Sequence, residues 1–188
     1  MKNAKEEACK LFGISTPVLK IHGVGGQQWK RNVKSGARIG PWLQGDYKIL
    51  NEAVWKEKAP CLYLVSTGAE SIHYVGISRN RLKDRWRTSP AYDAISMQRL
   101  GQDQIFHSQC WKHIEREAIL KPGLVFEIRS IQAATIIKNQ HIFSAEIRGL
   151  AVAFADEDES LVAGIERLLC NNNGPDFINW NKAMTAKK

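Results

Sequence analysis

Four side chains in this 188-residue chain suit chemistry at an anionic ester. Tyr63, Tyr74 and Arg85 are evenly spaced, and Glu166 follows much later beside an apolar stripe. Arginine is always charged, and its planar fork binds phosphate oxygens. A glutamate carboxylate can hold a hard cation such as Mg²⁺. A tyrosine hydroxyl can position a water molecule, but it acts as a base only where its surroundings lower its pKa from about 10.

Two short apolar runs must position the tyrosines. The runs CLYLV, residues 61–65, and IHYVGI, residues 72–77, are separated by STGAES, which is typical of a β-hairpin. Because side chains alternate along a strand, Tyr63 and Tyr74 can lie on the same face of the sheet.

The arginine and the glutamate are expected on helices. After Gly76 the apolar period changes, and Ser78 is predicted to cap a helix on which Arg85 flanks the buried stripe. Residues 158–170, DESLVAGIERLLC, predict a second helix with an acidic first turn and Glu166 at the border of its apolar stripe.

The remaining elements complete an α+β fold, with a small antiparallel or mixed three-stranded sheet flanked by helices. Helices are predicted over 3–12 and 46–57 and within 91–119, and a third strand over 123–131. The glycine-rich stretch 13–45 is interpreted as an irregular loop. The predicted organisation is a basic N-terminal extension packed on the core, residues 1–60, and a core, residues 61–188, with an insertion at about 132–157 that favours neither helix nor strand.

The charge of the chain favours a polyanionic partner. Its 27 basic and 19 acidic residues give a net charge of +8, which attracts nucleic acid and makes association sensitive to salt. The run KRNVKSGAR, residues 30–38, has four positive charges and no acid, and Trp29 and Trp42 flank it. This segment either contacts a phosphate backbone and stacks on bases or is a solvated basic loop.

Other classes of protein are disfavoured. The four cysteines are far apart and form no C-x-x-C pair, which indicates reduced thiols and no zinc ribbon. The His107 to Cys110 spacing supplies at most half a zinc site. No apolar run approaches the roughly 18 residues of a membrane span, so a cytoplasmic protein is expected.

Several motifs, in order, resemble those of the GIY-YIG endonucleases. They are CLY at 61–63, YVG at 74–76, the helix GISRNRLKDRW, and IERLLCNNNGPDFIN. The resemblance spans about residues 61–179 and is strongest to restriction-type members. Ser89 stands four residues after Arg85, where members of the family often carry histidine or tyrosine.

The resemblance implies a role for each site residue. Tyr63 is the candidate base and Tyr74 positions the attacking water, with Lys83, His73 and His107 as weaker substitutes for the base. Arg85 would bind the phosphate, and Glu166 would hold Mg²⁺ or Mn²⁺, which stabilises the leaving 3′ oxygen. Gly76 would let the chain turn between the strand and the helix. Asn179 would support the metal site, with Asn181 as an alternative.

The resemblance therefore implies a metal-dependent endonuclease that cuts double-stranded DNA at a specific site, acting as a homodimer. The alternatives are a phage or toxin nuclease of relaxed specificity and a non-catalytic nucleic-acid-binding protein. Contacts to DNA are expected from basic residues in the N-terminal extension and around the predicted arginine helix: Lys30, Arg31, Lys34, Arg38, Arg81, Lys83 and Arg87.

Overall fold

The computed structural model describes residues 4–33, 36–86, 110–172 and 177–181. Its centre is a five-stranded antiparallel sheet with the strand order β2-β1-β5-β3-β4. The strands are β1 (Thr16–Val33), β2 (Gly36–Ile49), β3 (Cys61–Ser66), β4 (Ile72–Ser78) and β5 (Phe126–Gln132). The hairpin and the third strand predicted from the sequence are confirmed as β3, β4 and β5, but the prediction of a three-stranded sheet is wrong.

The two extra strands come from the glycine-rich stretch that was interpreted as a loop. Glycines such as Gly26 and Gly40 pair inside the β1–β2 ladder, opposite Leu43 and Trp29. Pro41 is tolerated because β2 is an edge strand, where a missing backbone donor can face away from the ladder. Glycine and proline indicated turns here only because the sequence does not reveal the pairing partner.

Seven helices occur among the described residues: α1 (Ala4–Ile14), α2 (Glu52–Lys56), α3 (Leu82–Arg85), α4 (Cys110–Leu120), α5 (Ala133–Lys138), α6 (Ala145–Ala153) and α7 (Asp158–Cys170). A 3-10 turn, Gln140–Ile142, separates α5 from α6, so the stretch 132–157 is mainly helical. The helix predicted over 158–170 is confirmed as α7. The helix predicted over 46–57 shortens to α2, because the chain continues β2 as far as Ile49.

Helices cover both faces of the sheet. On one face, α1, α5, α6 and α7 form an apolar core with Leu62 and Leu64 of β3. On the other face, α2, α3 and α4 form a second core with Tyr63 and Val65. Alternation along β3 thus buries all of its side chains, and it places Tyr63 in the second core.

The four cysteines are free, as predicted, and three of them are buried. Within the part of the chain that the structure describes, no helix has the length and apolar character needed to cross a membrane.

Candidate active site

The tyrosines meet on the second-core face of the β3–β4 hairpin. Tyr63 pairs with Gly76 and Val65 pairs with Tyr74, which makes the two tyrosines diagonal neighbours. Their ring centroids are 5.9 Å apart in a stacked arrangement, and the indole of Trp86 packs edge-on against Tyr63 at 5.7 Å. The prediction that both tyrosines share a face is confirmed.

Gly76 gives the two rings the room to approach each other. A Cβ at this position would lie 2.5 Å from Cε1 of Tyr74 and 2.7 Å from both Cζ and Oη of Tyr63. Ordinary carbon contacts are about 3.5–4.0 Å, so any larger residue would displace the tyrosines. Gly76 lies within β4 and does not form a turn, which corrects the role expected from the sequence.

Arg85 is held beside Tyr63 by a single helical turn. It is the last residue of α3, and the buried side chains of Leu82 and Trp86 anchor this turn. The Nε of Arg85 donates a hydrogen bond to Oη of Tyr63 at 3.3 Å. Burial by itself lowers the pKa of Arg85, but the hydroxyls of Tyr63 and Tyr74 outweigh burial and the net pKa is raised. A half-buried, permanently charged guanidinium therefore faces the site.

The turn that carries Arg85 begins differently from the prediction. Ser78 is the last residue of β4, and Arg81 occupies the N-cap position without a capping side chain. The hydroxyl of Ser78 instead donates to the backbone carbonyls of Asn80, at 3.2 Å, and Arg81, at 3.3 Å. Ser78 thus braces the connection between strand and helix.

Glu166 approaches the same place from α7, which packs in the core on the opposite face of the sheet. The backbone N–H of Ile77, in edge strand β4, donates to the Glu166 carboxylate. Burial raises the pKa of Glu166, while the charges of Arg85, Arg79 and Arg167 act in the opposite direction. The carboxylate is therefore partly desolvated and faces several cations across the edge of the sheet.

Arg85 and Glu166 line one cavity of about 450 Å³. Residues 77–81 and Asp84 complete its wall, which carries three arginines and two carboxylates. One of these arginines, Arg79, also forms an ion pair of 2.6 Å with Glu159. A charged wall of this kind suits an anionic ligand with a bound cation better than an apolar ligand. Neither Arg79 nor Asp84 could be predicted from the sequence as a site residue, because neither is set apart by its spacing.

The carboxylates of this cavity fit a hard cation. No group of three or more His, Cys, Asp or Glu side chains with metal-site geometry occurs among residues 4–33, 36–86, 110–172 and 177–181. Mg²⁺ is commonly held by one or two carboxylates together with water and substrate phosphate. Glu166, with Asp84 on the same wall, meets that requirement.

Burial is the main cause of the raised pKa values of both tyrosines. The pKa of Tyr63 is raised well above its ordinary value because the ring is buried, with no exposed surface. Burial also raises the pKa of Tyr74 to about 12. Arg85 lowers both values, but less than burial raises them. Both side chains are therefore neutral phenols near pH 7, and only Tyr74 retains exposed surface.

Asn181, the alternative to Asn179, is the asparagine that contacts the site's framework. Its Oδ1 accepts from the Val75 N–H at 2.9 Å, and its Nδ2 donates to the Val75 carbonyl at 2.7 Å. The same Nδ2 lies 3.2 Å from Sγ of Cys170, at the end of α7. Asn179 is exposed. The sequence pattern places an asparagine after the proline but cannot distinguish these two positions.

The short segment around Asn181 is docked along the edge of β4. The Ile178 N–H donates to the Ile72 carbonyl at 2.9 Å, and the Trp180 N–H donates to the His73 carbonyl at 3.1 Å. Ile178 has a φ of 41°, a conformation that a β-branched residue rarely adopts. The imidazole of His73 stacks on Trp180 at 5.0 Å, which leaves His73 a structural role and weakens it as a substitute base.

The residues predicted to contact DNA fall into three groups. Arg81, on the cavity wall, and Lys83, on α3, are exposed. Lys30, Arg31 and Arg38 lie on β1 and β2, where Arg31 and Arg38 are direct partners across the ladder. The third group, Lys34 and Arg87, lies outside the described residues. Ser89 and His107, which were also named from the sequence, lie outside them as well.

Comparison of the chain with protein-family models, curated proteins and solved structures finds no match.

Proposed function

We propose that this protein is a metal-dependent DNA endonuclease that hydrolyses phosphodiester bonds with a GIY-YIG-like site. One observation carries the proposal: Arg85 is hydrogen-bonded to Tyr63 and lines a charged cavity together with Glu166, although the three residues are far apart in the chain. Phosphodiester hydrolysis needs charge stabilisation at the phosphate, a stabilised leaving oxygen and a positioned water, and arginine, a carboxylate that can hold a cation and a tyrosine hydroxyl can supply these. The net charge of +8 supports a nucleic acid as the substrate.

Arg85 binds a non-bridging oxygen of the scissile phosphate in this mechanism. The hydrogen bond from Nε to Tyr63 holds the guanidinium in place, and Tyr74 is a second hydrogen-bond partner. Because the guanidinium has five N–H donors, it keeps further donors for the substrate. As negative charge develops on the phosphate in the transition state, the fixed guanidinium stabilises it without having to reorganise. Tyr63 accordingly acts as a positioning residue.

Glu166 and Asp84 would hold Mg²⁺ or Mn²⁺ on the cavity wall. The cation, when bound, supplies charge neutralisation at the leaving 3′ oxygen. Glu166 must be ionised for this task; burial raises its pKa, and the surrounding arginines partly offset that effect. Asn181 keeps β4 and the end of α7 together, which fixes Glu166 relative to the strand.

Tyr74 is the tyrosine better placed to contact the attacking water, because it keeps exposed surface while Tyr63 is buried. Tyr74 thus keeps the water-positioning role that the resemblance implied, whereas the burial of Tyr63 disfavours it as the base. With a pKa of about 12, Tyr74 orients the water through its neutral hydroxyl at pH 7. A bound cation would have to lower that pKa for Oη to accept the proton.

The specificity is proposed to be of the restriction type, with two copies of the chain each cutting one strand of a palindromic target. Supercoiled plasmid incubated with the protein and Mg²⁺ tests the function. Discrete fragments that disappear with EDTA and with Glu166→Ala support a site-specific nuclease, whereas smearing with the same controls supports a relaxed one. Intact plasmid across many DNAs and metals contradicts the proposal and favours a DNA-binding protein without catalysis.

A further inference from the structure

The β1–β2 hairpin continues past the end of the β1–β5 pairing as a two-stranded arm, residues 23–33 and 36–46. Strand β1 pairs with β5 only as far as Ile21, after which a bulge separates Ile21 from Gly23. From the Gly23–Asp46 pair to the Val33–Gly36 pair, β1 pairs with β2 alone among the described strands. At about 3.3 Å per residue, this arm is about 33 Å long.

The register of the arm divides its residues between two faces. Arg31 lies directly opposite Arg38, Gln27 opposite Trp42, and Trp29 opposite Gly40. Because alternate residues of a strand share a face, one face of the arm collects six large polar or aromatic residues: Gln27, Trp29, Arg31, Arg38, Trp42 and Gln44. This face is called the arginine face. Lys30 and Ile39 are partners on the other face, which also carries Val24 and Leu43.

The arginine face lacks a compensating charge within its own segment. Like charges directly opposite each other destabilise a strand pair, and residues 24–45 contain four basic residues and no acid. A sequence that places two arginines opposite each other, with tryptophan and glutamine on the same face, therefore fits an external polyanion. Arginine and glutamine are also the side chains that pair with guanine and adenine edges in the major groove.

We propose that the arm lies in the major groove of duplex DNA, with its arginine face toward the bases and Arg31 and Arg38 making the principal contacts. This inference rests on the proposed function for the identity of the polyanion. Two strands about 4.8 Å apart, with their side chains, fit a groove about 12 Å wide but not the minor groove of about 6 Å. The A-form major groove of RNA is too narrow for side chains to read.

The test measures binding in EDTA, so that cleavage cannot interfere. Mobility shifts compare two 200-bp duplexes of one mixed sequence, one with ordinary cytosine and one with glucosylated 5-hydroxymethylcytosine, which fills the major groove. We expect the unchanged chain to bind the ordinary duplex at least ~10-fold more tightly, since base-edge contacts each contribute discrimination of this order. Arg31→Ala/Arg38→Ala is expected to weaken binding to the ordinary duplex at least ~10-fold and to abolish the preference.

Two further variants control for net charge and for folding. Lys138→Ala removes an exposed positive charge at the end of α5 and is expected to stay within ~3-fold of the unchanged chain and keep the preference. Arg31→Lys/Arg38→Lys keeps the charge without the fork, so it should retain the salt dependence and lose the preference. Thermal unfolding must be unchanged in each variant.

Three results would overturn the inference: full affinity in Arg31→Ala/Arg38→Ala, equal binding of the two duplexes by the unchanged chain, or competition by single-stranded RNA as strong as that by the duplex. Plasmid cleavage separates this failure from failure of the proposed function. If only the arm is wrongly assigned, Arg31→Ala/Arg38→Ala cuts plasmid as the unchanged chain does. If only the catalytic function is wrong, the binding differences persist and no variant cuts.

Discussion

Gly76→Ala is expected to disturb the tyrosine pair without touching a charged group. The new Cβ would lie 2.5 Å from Cε1 of Tyr74 and 2.7 Å from Oη of Tyr63. Restoring a contact of about 3.5 Å requires a displacement of about 1 Å. Overpacking of this kind costs about 1–3 kcal/mol of unfolding free energy. A misplacement of about 1 Å at a catalytic group can reduce the rate about 10²-fold.

The assays for Gly76→Ala are urea denaturation and single-turnover cleavage of DNA with Mg²⁺. Gly149→Ala is the matched control, because Gly149 lies exposed in α6 with no atom within 4 Å of its added Cβ. This control is expected to raise the unfolding free energy by up to about 1 kcal/mol and to leave cleavage unchanged. Unchanged stability and cleavage in Gly76→Ala would show that the close approach of the two tyrosines to Gly76 has no role in folding or catalysis.

Three further predictions concern the charged site and its framework. Arg85→Lys keeps the charge but loses the planar fork, so single-turnover cleavage should fall about 10²-fold or more; a rate within threefold would argue against a phosphate contact. Burial raises the pKa of Glu166, and cations bind its ionised form. As pH falls, Mn²⁺ affinity measured by calorimetry should therefore begin to decline at a higher pH than it would for an ordinary glutamate with a pKa near 4.3. Glu166→Gln should remove this pH dependence, and a decline confined to pH below 4 would contradict the prediction. Asn181→Ala leaves the Val75 N–H and carbonyl without their side-chain partner, so the free energy of unfolding measured in urea should fall by about 1–3 kcal/mol. The exposed control Asn179→Ala should change it by no more than about 0.5 kcal/mol. Equal effects of the two substitutions would show that Asn181 has no special role.

The sequence predicts best where one strong pattern has one structural solution. The alternation of apolar residues fixes the β3–β4 hairpin and the shared face of Tyr63 and Tyr74. The apolar stripe behind an acidic first turn likewise predicts α7 and the border position of Glu166. In each case the local pattern and the packed structure agree.

The features that the sequence does not predict depend on partners distant in the chain. The β1–β2 arm was interpreted as a loop because Gly40 and Pro41 are turn residues by composition, and only the opposing strand makes them part of a ladder. The burial of Tyr63, which raises its pKa, depends on packing against Trp86 and the sheet. Asn181 is distinguished from Asn179 only by its distance to the backbone of β4.

Paired measurements of binding and cleavage with Glu166→Gln separate metal-dependent catalysis from DNA binding. One duplex that the unchanged chain cuts would be titrated in Ca²⁺ for affinity and then followed in Mg²⁺ under single-turnover conditions. The proposal predicts affinity within about threefold of the unchanged chain, since this substitution leaves Arg85 and the arm intact. It also predicts a cleavage rate at least ~10³-fold lower, since loss of the cation removes several kcal/mol of transition-state stabilisation. Cleavage at a comparable rate by Glu166→Gln would contradict the claim that Glu166 and Arg85 form a metal-dependent phosphodiesterase site.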